Sequence, residues 1–206
     1  MDIIRKYFPN LTPTQEQQFA ALGGLYAEWN QKINVVSRKD IDNIYPHHIL
    51  HSLAIAQFIS FKDSTTILDL GTGGGFPGIP LAIMFPYCRF KLIDGVGKKI
   101  RVAQEIATTI GLKNVECLQL RAEDEKGKYD FVVSRAVMTL PDLAKLVRKN
   151  IRSEQHNALP NGLICLKGGE LYNETKTFKN KVEIVPVTEY FQEEYFKTKK
   201  IIYLPL

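Results

Sequence analysis

The residues best suited to do chemistry lie together in Asp69-Leu70-Gly71-Thr72-Gly73-Gly74-Gly75-Phe76-Pro77-Gly78-Ile79-Pro80. A short apolar run, Thr66 to Leu70, enters this glycine cluster and leaves it as a helical pattern. Glycines after a buried strand let the backbone turn sharply and lie close against a bound molecule. Two ligand classes fit the spacing. From Gly73 to Gly78 the residues read G-x-G-x-x-G, the dinucleotide pattern; from Asp69 they read D-x-G-x-G-x-G, the pattern of S-adenosylmethionine (AdoMet) sites. A diphosphate needs free N–H groups at a helix start and no anion beside them. Asp69 sets a carboxylate at the loop and Pro77 removes an N–H from the first turn, so a diphosphate is poorly served. The ammonium and sulfonium of AdoMet gain from the same charge. The stretch therefore favours AdoMet over NAD or FAD, against the bland alternative of a turn that binds nothing.

Three further positions follow strand-like runs. Asp94 ends Arg89–Ile93, where an acidic side chain can accept hydrogen bonds from ribose hydroxyls, with a turn before Gly95 as its structural alternative. Ala122-Glu123-Asp124 offers a small residue and a carboxylate to an adenine ring and its amino group, or else a plain capping loop. Ser134-Arg135-Ala136 puts a guanidinium beside the point of methyl transfer, able to pair with a methionine carboxylate or with substrate oxygens. Arg135 is the nearest candidate for a catalytic role, and no general base is assigned. Amine methylation usually places Asn/Asp-Pro-Pro-aromatic at this point, which Ser-Arg-Ala-Val does not match. Methylation at pyrimidine carbon needs a cysteine nucleophile, and Cys165 within Leu163-Ile164-Cys165-Leu166 reads as core. A substrate atom with an available lone pair fits both exclusions. His47, His48 and His51 can share one helix face, but the Glu of H-E-x-x-H is missing, so surface, core or RNA contact is favoured and no metal is assigned.

The elements that must position these residues can be read from periodicity. From residue 64 onward strand-like runs alternate with helical ones: Thr66–Leu70, a helix to about Phe85, Arg89–Ile93, a helix over 98–110, then 115–118 and 131–134. A helix over 140–151, a strand over 162–167 and two last strands, 182–187 and 201–204, complete the pattern with no helix between the last two. Alternation predicts a parallel sheet with crossover helices, and the final pair predicts a hairpin. That combination is the class I AdoMet-dependent methyltransferase fold, Rossmann-like and α/β, occupying residues 61–206. Before it, Thr12-Pro13 caps a helix with an apolar stripe of Phe19, Leu22, Tyr26, Trp29 and Ile33. A second helical stretch runs from Asp40 to Phe61, with Pro46 either kinking it or starting its longer part. Residues 1–60 are expected to form a helical appendage packed on the core.

With 206 residues and 45% hydrophobic content, the chain suits one well-packed domain with such an appendage. No apolar run approaches the length of a membrane span, and the amino end lacks the apolar core of a signal peptide, so a cytoplasmic location is expected. Three widely spaced cysteines, without C-x-x-C, point to buried reduced thiols. Residues 1–60 hold five Lys/Arg and five Asp/Glu, so the net charge of +5 lies entirely in the remainder, beside the ligand loop. Its basic clusters, including Lys98-Lys99-x-Arg101, suit a polyanion, though each alone can be a solvated helix face.

Taken in order, Trp29-Asn30-x-Lys32-Ile33-Asn34, His48-Ile49-Leu50-x-Ser52-Leu53, the glycine stretch from Asp69 to Pro80, Asp94-x-x-x-Lys98-Lys99, Arg121-Ala122-Glu123, Ser134-Arg135-Ala136 and Leu166-Lys167-Gly168 resemble the RsmG (GidB) family of bacterial small-subunit ribosomal RNA methyltransferases. The resemblance covers most of the chain. It implies methyl transfer from AdoMet to N7 of a guanine in the 530 loop of 16S rRNA, free or within the 30S subunit. It further implies cofactor contacts at Gly71, Phe76, Ala122, Glu123 and Arg135, joined by Asp94. Gly73 is a further candidate for the cofactor, and His48, Lys98, Lys99, Arg101 and Lys167 are the candidates for RNA contact. Two residues depart from the family pattern: His51 stands where an aspartate is usual, and Gly95 where a serine-like residue follows the acid. A small-molecule methyltransferase and a non-catalytic rRNA-binding assembly factor are the alternative readings.

Overall fold

A computed structural model describes residues 1–135 and 137–206; Ala136, the last residue of the Ser-Arg-Ala motif, lies outside the described residues. The apolar runs become β1 (Thr66–Leu70), β2 (Arg89–Asp94), β3 (Val115–Gln119), β4 (Phe131–Arg135), β5 (Gly162–Gly168), β6 (Glu183–Pro186) and β7 (Lys199–Pro205). They form one sheet in the order β3-β2-β1-β4-β5-β7-β6. β1 to β5 pair in parallel, and β7 runs antiparallel to both β5 and β6. This is the mostly parallel sheet with a terminal antiparallel pair that the alternation predicts. The order reverses between β1 and β4, and such a switch opens a crevice outside the carboxyl ends of the strands.

The helices are α1 (Asp2–Tyr7), α2 (Pro13–Lys32), α3 (His51–Phe58), α4 (Gly78–Met84), α5 (Gly97–Thr109), α6 (Leu140–Val147) and the short α7 (Tyr172–Thr175). α2 starts at a capping box: Gln15 N–H donates to Thr12 Oγ1, Gln15 Oε1 accepts from Thr12 N–H, and Pro13 takes the first helical position. Its Phe19, Leu22 and Tyr26 are fully buried in the cluster that also holds Ile79 of α4 and Val102 and Ile106 of α5. Each such side chain contributes about 1.5–3 kcal/mol by leaving water. Gln15 Nε2 donates to the carbonyls of Ile83 and Met84, and Gln18 Nε2 to that of Ile110, satisfying groups at the ends of α4 and α5. The opposite sheet face is covered by α6 through Leu140, Leu143 and Val147.

Three details differ from the sequence reading. Asp40 to Phe61 is a composite of a 3-10 turn (Ile41–Asn43), a π-helical stretch (Ile44–Leu50) and α3. Pro46 falls in the first turn of the π stretch, where a missing N–H leaves no helical bond unmade. Between β6 and β7 stand two 3-10 turns, Val187–Glu189 and Glu194–Thr198, anchored by buried Val187, Phe191 and Phe196. α7 and the 3-10 segment Lys176–Lys181 carry no apolar periodicity and follow from tertiary contacts instead.

Candidate cofactor cleft and transfer site

The glycine loop is built around a buried acid. Asp69 on β1 is wholly enclosed, and its Oδ2 accepts from Thr72 Oγ1 at 2.5 Å and from Gly78 N–H at 2.8 Å. Burial pushes this carboxyl up to about 7, against the pull of those two donors. The expectation of a carboxylate facing the ligand is therefore corrected: Asp69 is a strut inside the loop. A diphosphate is still poorly served, because the Gly78 N–H at the start of α4 is already taken by the Asp69 carboxyl. Gly71 has φ +71°, and both its N–H and that of Thr72 donate to Ile93 O, which ties the turn to β2. A Cβ on Gly71 would stand 2.5 Å from Val137 Cγ2, so the strand end must stay bare. One step on, Gly74 O accepts from the buried Tyr26 hydroxyl at 2.9 Å, and a Cβ there would collide with Val35. The amino-terminal helices thus hold the back of the loop.

In front of it, Leu70, Gly71, Asp94, Ala122, Glu123 and Met138 line a cleft of about 240 Å³ at the carboxyl ends of β1, β2 and β3. Asp94 Oδ2 accepts from Gly73 N–H at 2.9 Å and Oδ1 from Val96 N–H at 2.8 Å, which fixes the carboxylate while each oxygen keeps a lone pair for a hydroxyl. Apolar Leu70, Ile93, Val137 and Met138 give walls for a flat ring, and half-buried Ala122 leaves room beside them. A nucleoside with free ribose hydroxyls and no phosphate fits this donor and acceptor set. Gly71, Asp94, Ala122 and Glu123 are brought together here, and Gly73 joins through Asp94. Phe76 and Arg135 do not line the cleft: Phe76 is buried, stacked on Tyr26 at 4.6 Å, with the Arg135 guanidinium 5.1 Å above its ring. A larger hollow of about 420 Å³ lies at the amino ends of the strands, between Thr66, Arg89 and Val115. Parallel sheets present ligands at their carboxyl ends, so the smaller cleft is the site.

Arg135, ending β4, is held from the amino-terminal segment. Its Nη2 lies 3.1 Å from His48 Nδ1, and His48 Nε2 lies 2.5 Å from Asp40 Oδ2. Burial and then the Arg135 charge push His48 down to about 4, so its neutral ring accepts at Nδ1 and donates at Nε2. Asp40 Oδ1 takes His47 Nδ1 at 2.5 Å, and His47 stacks on Tyr195 at 3.8 Å and 13°. His51 is buried at the edges of Tyr195 and Phe196 with neither ring nitrogen bonded, and burial lowers its pKa. Among the described residues there is no cluster of three or more His, Cys, Asp or Glu suited to a metal. Cys165 is buried, and burial pushes its thiol up to about 12, which agrees with its reading as core.

Two residues with expected RNA contacts are placed otherwise. His48 has both ring nitrogens engaged within the protein. Lys167 is buried, with Nζ donating to Met138 O at 2.7 Å and to Glu174 Oε2 at 2.5 Å. It braces the β4–α6 connection and offers no free charge. Lys98 and Arg101 are exposed and Lys99 half-buried on the start of α5, just after the Asp94 turn. Asp40, Tyr26 and Tyr195 carry the geometry of the site without being singled out by sequence. Tyr26 was visible only as one more apolar position, and nothing local marks Asp40 or Tyr195.

Comparison with known proteins agrees with this geometry. A family model described as GidB, rRNA small subunit methyltransferase G, matches residues 15–202. The chain is 63% identical over 206 residues to a ribosomal RNA small subunit methyltransferase G of Phocaeicola vulgatus, covering 100% of this chain and 99% of that one. It is 62% identical to a protein of the same name from Bacteroides thetaiotaomicron, covering 98% of each. Among solved structures, Aeropyrum pernix fibrillarin with natively bound S-adenosyl-L-methionine is similar at a TM-score of 0.54, with 15% identity over 75% of this chain and 73% of that one. An MtNAS variant in complex with S-adenosylmethionine is similar at 0.60, with 11% identity over 93% and 76%. At these identities the structures speak for the fold alone, and that fold is the class I methyltransferase fold.

Proposed function

This chain belongs to the GidB family, rRNA small subunit methyltransferase G, and from that premise we propose that it transfers a methyl group from AdoMet to N7 of a guanine in the 530 loop of 16S rRNA. What supports the reading most is that the residues carrying the sequence resemblance, Gly71, Asp94, Ala122 and Glu123, converge on one strand-end cleft suited to a nucleoside. Bound there, AdoMet supplies an electrophilic methyl on sulfonium, and guanine N7 attacks it with an in-plane lone pair. N7 carries no hydrogen, so no base is needed. His48, engaged on both sides, and Cys165, buried in the core, are not free to serve as base or nucleophile. What the protein contributes is alignment, with Asp94 fixing the nucleoside and Arg135 stationed at the end of β4 to pair with the methionine carboxylate.

N7 of a paired guanine faces the deep, narrow groove of A-form RNA, so the target must be looped or turned out of its stack. The exposed cations at the start of α5, just after the Asp94 turn, would hold neighbouring phosphates. No helix of the described residues is long and apolar enough to cross a membrane. Work on small-subunit rRNA would be done in the cytoplasm. The reading is tested by incubating the protein with labelled AdoMet together with 30S subunits, naked 16S rRNA and a small-molecule extract in competition. Label in 16S rRNA, on either RNA substrate, is the expected outcome. Label confined to a small molecule would replace this reading with a metabolite methyltransferase. RNA binding with no AdoMet binding by calorimetry would replace it with a non-catalytic assembly factor.

A further inference from the structure

We infer that Asp40 and His48 are positioning residues for Arg135, together fixing the orientation of its guanidinium at the end of β4 from outside the methyltransferase sheet. Arg135 stands at the end of β4 with its guanidinium over the Phe76 ring, a contact that fixes the plane of the group but not its rotation within that plane. The directional contact comes from His48, whose Nδ1 meets Nη2 at 3.1 Å. An imidazole can accept there only if its proton is on Nε2, and Asp40 Oδ2, 2.5 Å from Nε2, holds that tautomer. Asp40 is fixed in turn by His47, which is wedged against Tyr195.

The chain Asp40, His48, Arg135 runs from the 3-10 turn through the π-helical stretch to the sheet, and its three members are separated by up to 95 positions in sequence. π-helical turns inside helices are uncommon and often sit at functional sites. This one places His47 and His48, adjacent in sequence, on the two oxygens of a single carboxylate. Direct RNA contact is the competing role for His48. It is disfavoured because the side chain is 12% exposed and has no free polar atom.

The inference rests on the proposed pairing of Arg135 with the methionine carboxylate, and it is read through AdoMet affinity, which does not depend on what accepts the methyl. His48→Leu removes the acceptor and is expected to weaken AdoMet binding about tenfold, with a matching loss in kcat. His48→Asn, whose amide oxygen can stand near the place of Nδ1, should stay within about threefold. In an Arg135→Gln background, His48→Leu should add less than twofold, since residues acting as one unit are non-additive. Asp40→Ala is the second variant should His48→Leu not fold, with a loss of roughly three- to tenfold that likewise vanishes in the Arg135→Gln background. A full additional tenfold loss in that background would overturn the inference. So would unchanged AdoMet affinity with weakened RNA binding, which would make His48 an RNA contact. If the chain methylates no RNA but the AdoMet cycle is non-additive, the inference stands while the substrate reading falls.

Discussion

Asp69 and His48 are buried ionisable groups whose pKa values move in opposite directions, and each leaves a signature in stability. Burial raises Asp69 to about 7, so between about pH 4 and 7 the folded chain keeps a proton that the unfolded chain has released. Stability attributable to Asp69 therefore falls as pH rises through that window, by up to about 1.4 kcal/mol per unit. His48, lowered to about 4, does the reverse: from 4 to 6.5 the unfolded chain binds the extra proton, so stability rises with pH. The two slopes oppose each other in the intact protein. We predict that Asp69→Asn removes the falling component and His48→Asn the rising one, measured by urea unfolding from pH 4 to 8. Parallel curves for wild type and variant would contradict either assignment. Gly71→Ala adds a Cβ at φ +71° against Val137, at a cost of about 1–3 kcal/mol, and should weaken AdoMet binding more than tenfold by calorimetry while α2 and α5 remain folded. At this scale the sequence was a partial guide. Type and spacing singled out Gly71, Asp94 and Glu123, which the fold brings to one cleft, but nothing in Asp69-Leu70-Gly71 says whether the acid faces ligand or protein. That depends on Thr72 and Gly78 folding back onto it.

At the scale of elements, α2 is a wall of the glycine loop as well as a covering helix. The Tyr26 hydroxyl bonded to Gly74 O is buried, and Tyr26→Phe leaves that carbonyl without its partner. We predict a loss of about 1–3 kcal/mol in urea unfolding together with weaker AdoMet binding; a stability loss with AdoMet affinity untouched would confine α2 to a covering role. The start of α5 has a separate task. If Lys98 and Arg101 hold phosphates, replacing both with Ala should make the slope of log affinity for rRNA against log salt shallower by about 1.4, with AdoMet binding unchanged. An unaltered slope would move the RNA interface elsewhere. Helices with a clear stripe, such as Phe19-Leu22-Tyr26, and strands bounded by glycine or proline were legible because burial and periodicity coincide. The π-helical stretch, α7 and the 3-10 turns before β7 were not, since their residues are held by distant partners: His48 by Arg135, Lys167 by Glu174, and Tyr195 by His47.

For the whole molecule, the two hydrophobic clusters on opposite sheet faces make the cleft a property of the entire fold. The cluster on the α2–α5 face joins the first 60 residues to α4 and α5, so the helices that bury Tyr26 also carry His48 to Arg135. The strand order, with its reversal between β1 and β4, came only with the fold, but a mostly parallel sheet ending in an antiparallel pair followed from the alternation of apolar and helical runs. The placement of the charges did not. Lys167 looked like a free cation until its partners appeared. The most direct test of the account is chemical mapping of the methyl group: unmethylated 30S subunits are treated with the protein and AdoMet, and the 16S rRNA is reduced and cleaved at N7-methylguanine. The account predicts one new AdoMet-dependent cleavage, at a guanine of the 530 loop. Methyl label recovered at another position of a base, or in no RNA at all, would contradict it.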